Sequence, residues 1–287
     1  MDIKSYIELI KPERTLVNVM TAAAGFLFAS RWGGPWIKLL YLLLGTGLII
    51  ASACVFNNLL DRKLDKKMKR TSKRVLAAAS ADTYSLSVIV YLIVLLILGL
   101  FLLSYANWLT FGLGVEAYVS YVFLYGWAKR HTIQGTLIGT LPGGSSLVAG
   151  YTAYTDRLDV TALLLFLIML AWQMAHFFSI ALYRFEDYKR AGLPVMPVKR
   201  GVEVTRRQIL VYIGIFSLAN LALLLTDKVG AIYALVMIAA SIWWLEAGVG
   251  RASRTLSSSQ WGKGLFLRSL KVITIFAVIL PLGSILI

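Results

Sequence analysis

Long apolar runs separated by short polar connections make up most of the chain. A helix needs about 20 apolar residues to cross a bilayer, and a backbone inside lipid must satisfy its own hydrogen bonds. The pattern therefore predicts an all-α, polytopic membrane protein in which residues 1–287 form a single domain. Nine segments qualify as membrane-spanning helices, and they cover roughly 15–32, 37–58, 84–105, 108–128, 135–154, 160–183, 208–226, 229–248 and 267–287.

The Lys and Arg residues are concentrated in alternate connections. If the N-terminus is cytoplasmic, the cytoplasmic connections hold most of the 29 basic residues, and the opposite connections hold few. Because positively charged loops stay in the cytoplasm, this asymmetry predicts a cytoplasmic N-terminus, cytoplasmic active-site loops and a C-terminus on the opposite side. The cytoplasmic connections are 1–14, 59–83, 129–134, 184–207 and 249–266.

Composition agrees with membrane insertion. The chain is 59% hydrophobic and only 15% charged, and its mean hydropathy is +0.75. The net charge of +15 follows from the topology signal, so it does not indicate nucleic-acid binding. The N-terminal residues resemble neither a cleaved signal peptide nor a transit peptide, which favours a multi-pass protein of a bacterial inner membrane, in contact with lipid.

The end of the second apolar run carries the first group of candidate site residues. Asn57, Asp61 and Asp65 follow one another at intervals of four, so on a helix they form one stripe. Eight Lys and Arg residues lie from position 62 to position 74. Carboxylates ringed by cations at a membrane surface indicate a site for Mg²⁺ and a phosphorylated ligand. A solvated helix end with intrahelical ion pairs is the alternative interpretation.

The end of the sixth run carries a second polar group. Gln173 and His176 lie three residues apart within apolar sequence, and Tyr183 and Asp187 repeat the interval of four at the cytoplasmic exit, beside Glu186. Polar side chains within a bilayer are costly and tend to be functional, although such a histidine is also often a hydrogen-bonded interior residue. We therefore expect the two exits to contribute to one site.

Such a site suits the departure of a diphosphate from an allylic chain. Mg²⁺ together with Arg and Lys stabilises the charge that develops on the leaving group, and an apolar cavity with aromatic faces shelters the resulting carbocation. The chain is rich in the aromatic residues that this chemistry needs, with 14 Tyr, 8 Trp and 13 Phe.

Several motifs resemble the UbiA superfamily of intramembrane prenyltransferases, and the resemblance covers nearly the whole chain. The Asn57-x-x-x-Asp61-x-x-x-Asp65 motif is typical of the superfamily, whereas the segments 172–177 and 186–197 are typical of its haem-farnesylating branch, the haem O synthases. The other matching positions are Lys11-Pro12, Asn18, Met68, Arg70, Thr71, Arg74, Lys129-Arg130 and Gly135 with Gly139.

The resemblance implies a nine-helix UbiA-type bundle around a central cavity that opens to the cytoplasm. It implies a prenyltransferase that uses farnesyl diphosphate, haem B and Mg²⁺. The implied reaction adds the farnesyl group and water to a haem vinyl group and yields haem O and diphosphate. Haem A synthase or terminal-oxidase assembly proteins are the implied protein partners.

The resemblance also implies three groups of site residues. The Mg²⁺ ligands are Asn57, Asp61, Asp65, Asp187 and Glu186. The diphosphate contacts are Arg70, Arg74, Lys129 and Arg130. The other substrate-binding residues are Asn18, Gln173, Tyr183, Arg184 and His176, of which His176 is expected near the haem.

The chain departs from the haem branch at positions that shape the acceptor pocket. Ala175 and the pair Ser146-Leu147 stand where relatives usually carry prolines, which changes the expected helix kinks. Two alternatives therefore stay open: a UbiA-type enzyme that prenylates a quinone-precursor aromatic ring, and a transporter or lipid-binding membrane protein. Glu116, within the fourth run, has no role in any of these hypotheses.

Overall fold

The computed structural model describes residues 2–67, 71–78, 85–250 and 255–286, and every regular element in these ranges is a helix. The all-α prediction is confirmed. The α-helices are α1 (Ile3–Leu9), α2 (Pro12–Ser30), α3 (Trp36–Asp65), α4 (Val75–Ala78), α5 (Ser85–Ala106), α6 (Trp108–Val119), α7 (Gly126–His131), α8 (Gly135–Ile138), α9 (Leu141–Thr155), α10 (Val160–Tyr183), α11 (Phe185–Arg190), α12 (Met196–Arg200), α13 (Val202–Ala222), α14 (Ala231–Val249) and α15 (Ser258–Gly283). A π-helix (Ser120–Tyr125) joins α6 to α7, and a 3₁₀-helix (Leu223–Thr226) extends α13.

Within the described residues, six helices are long and apolar enough to cross a bilayer: α3, α5, α10, α13 with its 3₁₀ extension, α14 and α15. This finding supports the predicted multi-pass membrane protein. The other three predicted segments contain α2, α6 with the π-helix and α7, and α8 with α9, none of which meets both conditions of length and hydropathy. The count of nine crossings therefore stays a prediction.

The last helix begins well before its predicted boundary, because Ser257 starts a capping box. The Ser257 hydroxyl accepts the Gln260 N–H at 3.3 Å, and the Gln260 side chain accepts the Ser257 N–H at 3.1 Å. Arg268, which the predicted boundary places at the start of this helix, therefore lies within it. Its guanidinium pairs with Glu246 at 3.0 Å and also donates to the Trp243 carbonyl.

The helices that carry the site pack in two groups. α10 lies against α9, α13 and α15, and it buries Leu165, Ile168 and Phe178 in the larger apolar core. α3 lies mainly against α5 and α2, and it buries Leu42 and Ile49 in a second core. Residues of both α3 and α10 line a central cavity. The two helices that carry the polar groups of the sequence therefore border one interior space.

Close contact between α2 and α9 depends on two glycines. A Cβ atom at Gly25 would lie 2.2 Å from the Leu147 carbonyl oxygen, and one at Gly150 would lie 2.0 Å from the Ala22 carbonyl oxygen. Both distances are far below van der Waals contact, and both neighbours are backbone atoms that cannot rotate away. Small residues let membrane helices approach in this way, so the crossing requires glycine at both positions.

Adding one methyl group at this crossing tests how tightly the helices pack. We expect Gly25→Ala and Gly150→Ala each to destabilise the protein by about 1–3 kcal/mol, the usual cost of overpacking, and to lower its Tm in detergent. Gly214→Ala is the matched control, because a Cβ atom there meets nothing within 4 Å. Thermal unfolding followed by size-exclusion chromatography compares the three variants. An unchanged Tm for Gly150→Ala would contradict the close crossing.

Candidate active site

A cavity of about 680 Å³ lies among α2, α3, α6, α9, α10 and α15. Near the connection between α5 and α6, its wall is apolar and includes Leu103 and Leu113. The cationic residues that line the cavity are Arg14, Lys129 and Arg184. They lie at the end of the cavity away from Leu103 and Leu113, which we call the charged end. An apolar chamber with a few convergent polar groups suits an amphipathic ligand.

The acidic motif lies beside the charged end, on the last turns of α3. Because α3 continues to Asp65, the residues Asn57, Asp61 and Asp65 share one helix face, as their spacing predicts. All three are buried, and each exposes 7% or less of its surface. Buried carboxylates need compensating charge or hydrogen bonds, and three cations provide both.

Lys129 joins α7 to this motif. Its ammonium donates to Asn57 Oδ1 at 2.7 Å and to Asp61 Oδ2 at 2.5 Å, and it lies 5.2 Å from the centre of the Tyr125 ring. Burial lowers the pKa of Lys129, and the Asp61 carboxylate opposes this shift because it favours the charged ammonium. One amide oxygen and one carboxylate oxygen therefore converge on a single cation in the cavity wall.

Two arginines bind the remaining carboxylate oxygens of the motif. Arg130 donates to Asp61 Oδ1 at 2.9 Å, and Arg74 donates to both oxygens of Asp65 at 2.9 Å. Each acid of the motif therefore has its own cationic partner. Arg70, which the resemblance assigns to the diphosphate, lies outside the described residues.

The second polar exit differs from the expected continuous helix. α10 ends at Tyr183, and Arg184 has φ −109° and ψ 28°, so the backbone leaves the helical path before α11 begins at Phe185. Tyr183 and Asp187, which repeat the interval of four in the sequence, therefore lie on two different helices. The two acids of this exit are carried by the short helix α11 instead of by α10.

Asp187 and Glu186 line a neighbouring pocket of about 490 Å³, whereas Tyr183 and Arg184 line both this pocket and the central cavity. The Asp187 carboxylate lies 3.7 Å from the Arg190 guanidinium. The acids of this exit therefore lie beside the central cavity without lining it. In the part of the chain that the structure describes, no three Asp, Glu, His or Cys side chains are grouped closely enough to hold a metal ion by themselves.

His176 lines the cavity, and one of its ring nitrogens contacts α15. The ring stacks on Trp172 with centroids 4.8 Å apart, and Nδ1 lies 2.7 Å from the Ser269 hydroxyl. The Ser269 hydroxyl also lies 2.6 Å from the Phe266 carbonyl. Among the described residues the ring makes no other hydrogen bond, so Nε2 is the ring nitrogen left for a ligand.

Gln173 and Asn18 also lie in the cavity wall. Gln173 donates its amide protons to the Thr140 and Met169 carbonyls at 3.1 and 3.2 Å. Asn18 accepts a hydrogen bond from Ser146 at 3.3 Å. Both side chains are therefore held in fixed orientations by neighbouring helices.

The proline departures leave α9 and α10 uninterrupted at Ser146 and Ala175. Ser146 supplies the hydroxyl that reaches Asn18, a hydrogen bond that proline cannot make. Ser146 therefore adds a polar contact to the cavity wall, whereas Ala175 keeps a backbone N–H that proline would lack.

Sequence reasoning missed Arg14, which lines the cavity from the first turn of α2. Its guanidinium lies within electrostatic reach of Tyr121, Tyr125 and Tyr188. It forms no ion pair with an acid among the described residues. Among the described residues, therefore, no acid neutralises the charge of Arg14 in the cavity wall.

The π-helix was also missed. Tyr121 and Tyr125 line the cavity from this element, and their rings stack with centroids 5.5 Å apart and planes at 28°. π-Helical turns are rare and occur frequently at functional sites. Together with Tyr118, which also lines the cavity, these rings form an aromatic row that leads to Lys129.

Lys11 is a further cation near the motif. Its backbone is left-handed, with φ 48°, a conformation uncommon for residues other than glycine. Its buried ammonium has no hydrogen-bond partner among the described residues. Burial lowers the pKa of Lys11 to about 8, and the nearby Cys54 and Asp65 oppose the shift. A buried and unpaired ammonium at this place indicates affinity for an anion.

Glu116, for which the sequence suggested no role, lies midway along α6. Its carboxylate accepts a hydrogen bond at 2.6 Å from Ser145, a residue of the cavity wall. This contact compensates a carboxyl group within an apolar segment, and nothing else in its surroundings indicates a chemical role.

Comparison with known proteins gives the family. The model of the UbiA prenyltransferase family matches residues 18–270. Curated relatives named protohaem IX farnesyltransferase include one from Serratia proteamaculans, which is 41% identical over 98% of this chain and 94% of its own length. Another, from Pectobacterium atrosepticum, is 39% identical over 98% of this chain and 95% of its own length.

Solved structures share the fold at low sequence identity. A digeranylgeranylglyceryl phosphate synthase superposes with a TM-score of 0.81 at 18% identity, over 99% of each chain. A UbiA homolog from Archaeoglobus fulgidus, bound to GPP and Mg²⁺, gives a TM-score of 0.73 at 17% identity, over 99% of this chain and 100% of that one. Because the family model covers most of the chain and the curated relatives match nearly all of it, the chain belongs to the UbiA prenyltransferase family.

Proposed function

We propose that the protein transfers a farnesyl group from farnesyl diphosphate to a vinyl group of haem B, with addition of water, and so makes haem O and diphosphate. The shared name of the curated relatives supports this function. The structural observation that supports this function most strongly is the position of the Lys129 ammonium. It lies between Asn57 and Asp61, where two oxygen atoms converge on a single positive charge.

The donor set of the motif fits a divalent cation. Asn57 Oδ1 and Asp61 Oδ2 already approach the Lys129 ammonium at 2.7 and 2.5 Å, so their arrangement suits one positive centre. Mg²⁺ prefers oxygen ligands, needs only one or two carboxylates, and takes its other ligands from phosphate and water. The residues that would hold Mg²⁺ are Asn57, Asp61 and Asp65 for one ion and Asp187 with Glu186 for a second.

Lys129 has to leave its position before a metal ion binds there. A diphosphate supplies an anion to which its ammonium transfers, and Arg74, Arg130, Arg14 and Lys11 are the further cations near this place. Asn57 and Asp61 would hold a metal ion only by giving up their contact with Lys129. Bound diphosphate would give the displaced ammonium a new partner, so we propose that metal and diphosphate bind as a unit.

The reaction breaks the bond between the allylic carbon and the diphosphate oxygen, and the electron pair leaves with the diphosphate. When bound, Mg²⁺ neutralises charge on this leaving group. The π-electrons of the haem vinyl group form the new carbon–carbon bond. Water adds to the cation left on the vinyl carbon next to the ring, and one proton of that water is lost. Lys129, Arg74 and Arg130 bind the departing anion.

The remaining cavity provides for the farnesyl chain and its cation. The chain fits the apolar end, beside Leu103 and Leu113. Tyr121 and Tyr125 lie between that end and Lys129, and the faces of their rings stabilise an allylic cation. The same apolar walls exclude the bulk water that would capture the cation prematurely.

His176 is placed to meet the acceptor. Its Nδ1 contacts the Ser269 hydroxyl, which leaves Nε2 as the ring nitrogen available to a ligand such as haem iron. Trp172 and Phe266, with ring centroids 4.8 and 5.2 Å from that of His176, offer flat apolar surfaces for a porphyrin. A quinone-precursor ring would make no use of this nitrogen.

We also propose that the protein lies in a bacterial inner membrane with the charged end of the cavity on the cytoplasmic side. The excess of Lys and Arg in the connections beside this end supports that orientation. It places the N-terminus in the cytoplasm and the C-terminus on the opposite side. Haem A synthase or a terminal oxidase would then receive the product from the membrane.

Asp61→Asn and Asp65→Asn test the assignment of the metal ligands. Each change removes a charged ligand at nearly constant size, so we expect haem O formation to fall by at least about a hundredfold. Asp227→Asn, at an exposed acid outside the site, should keep normal activity. Size-exclusion profiles show whether the variants fold, because each leaves a buried cation unpaired. Normal activity in both site variants would rule out the assignment.

The acceptor is tested by supplying membranes that contain the protein with farnesyl diphosphate, Mg²⁺ and either haem B or 4-hydroxybenzoate. We expect a new haem, heavier than haem B by one farnesyl group and one hydroxyl group, and no prenylated hydroxybenzoate. Mass spectrometry of the extracted products reads the outcome. Prenylated hydroxybenzoate without any new haem would replace the haem function with that of a quinone-precursor prenyltransferase.

A further inference from the structure

An aromatic wall runs from His176 to two cations at the C-terminal end of α10. The His176 and Phe266 rings have centroids 5.2 Å apart, and the Phe266 and Tyr183 rings stack with centroids 6.3 Å apart and planes at 24°. We call these three rings the aromatic wall. All three line the central cavity, so the wall offers a continuous apolar surface to a flat ligand.

The Tyr183 ring is flanked by two positive charges. The Arg184 guanidinium carbon lies 4.1 Å from its centroid, and the Lys263 ammonium lies 5.7 Å from it. Neither cation forms an ion pair with an acid within the described residues. Asp187 and Glu186, the nearest acids along the chain, line the adjacent pocket together with Arg184 but pair with neither cation. Within the part of the chain that the structure describes, the two cations at the edge of the apolar wall therefore have no ion-pair partner.

The two elements that carry these cations are fixed to each other. The Ser259 hydroxyl, on the first turn of α15, donates to the Tyr183 carbonyl at 3.1 Å. Lys263 and Phe266 lie three residues apart on α15, and so they share one face of that helix. The spacing between the aromatic wall and the two cations is therefore set by packed helices.

We propose that Arg184 and Lys263 bind the two propionate carboxylates of the acceptor porphyrin, while its ring lies on the aromatic wall. The proposal rests on the proposed function, which supplies haem B as the acceptor. Arg184 follows His176 by eight residues, about 12 Å along a helix. The distance from the centre of a porphyrin to its propionate carboxylates is of similar size.

The distribution of cations between two places in the cavity supports this assignment. The diphosphate end already has Lys129, Arg74 and Arg130 around the acidic motif. The propionates bring two more negative charges, and Arg184 and Lys263 are two cations beside the wall that would receive the ring. Guanidinium and ammonium groups bind carboxylates through charge-assisted hydrogen bonds.

The assignment fixes the orientation of the acceptor. In haem B the vinyl groups and the propionates occupy opposite halves of the ring. Propionates held at Arg184 and Lys263 therefore direct the vinyl half into the cavity, toward Tyr121 and Tyr125, where the allylic cation forms. The ionised half stays at the end of the cavity where charge costs least.

Haem binding without turnover tests the proposal. Haem B and its dimethyl ester, which lacks the propionate charges, are titrated into purified protein in detergent without farnesyl diphosphate, and the Soret band is followed. We expect the Arg184→Met/Lys263→Met double variant to bind haem B at least about tenfold more weakly than the unchanged protein. Lys271→Met is the matched control, because Lys271 lies on the same helix over the Trp243 ring, outside the site.

Comparison of the two ligands separates charge recognition from general damage. Esterification should weaken binding to the unchanged protein but not to the double variant, because both changes remove the same interaction. A double variant that still prefers haem B to the ester as strongly as the unchanged protein would overturn the proposal. In that case haem binding and haem O formation by the unchanged protein would persist. If the unchanged protein binds no haem and makes no haem O, the proposed function itself fails.

Discussion

The buried contact of Lys129 with Asn57 and Asp61 is the interaction on which the site depends. The last turns of α3 carry two acids that are buried near a membrane surface, and unpaired they would strongly destabilise the fold. The fold compensates them with a lysine and an arginine from α7 and with Arg74, which follows α3. The path of the chain from α6 through the π-helix to α7 is therefore tied to the acidic motif. The same contact joins the motif to the cavity, because Lys129 lies in the cavity wall.

Two substrates with charged ends and apolar bodies would enter this cavity with their charges at the same end. In the proposed arrangement, the motif and its cations would bind the diphosphate, and Arg184 with Lys263 would bind the charged edge of the porphyrin. The reactive carbons would then meet between the tyrosines of the π-helix and the aromatic wall, in apolar surroundings that exclude water. One cavity contains both the charged end and the apolar interior. The charged groups of the substrates can therefore bind at that end while the carbocation forms deeper inside.

The sequence predicted those features that depend on local periodicity. The boundaries of α10 and the shared face of Asn57 and Asp65 follow from apolar runs and the interval of four. The short helix α11, which follows Arg184 and carries Glu186 and Asp187, was not predicted, because it lies beyond the apolar run. The pairing of acids on α3 with cations on α7 depends on tertiary packing, which periodicity does not encode. Other signals were present but unused: Tyr121, Tyr125 and Lys129 follow at intervals of four, as do Arg14 and Asn18, and Ser257 with Gln260 is a capping pair.

We propose that Lys129 holds the oxygens of Asn57 and Asp61, so that a metal ion would bind tightly there only together with diphosphate. Electron paramagnetic resonance of Mn²⁺, which accepts the same oxygen ligands as Mg²⁺, measures metal affinity directly. The titration is made with and without farnesyl thiolodiphosphate, an analogue that does not react. We expect weak Mn²⁺ binding alone, binding tighter by about tenfold or more with the analogue, and a smaller difference in Lys129→Met. Equal Mn²⁺ affinity with and without the analogue in the unchanged protein would contradict this role of Lys129.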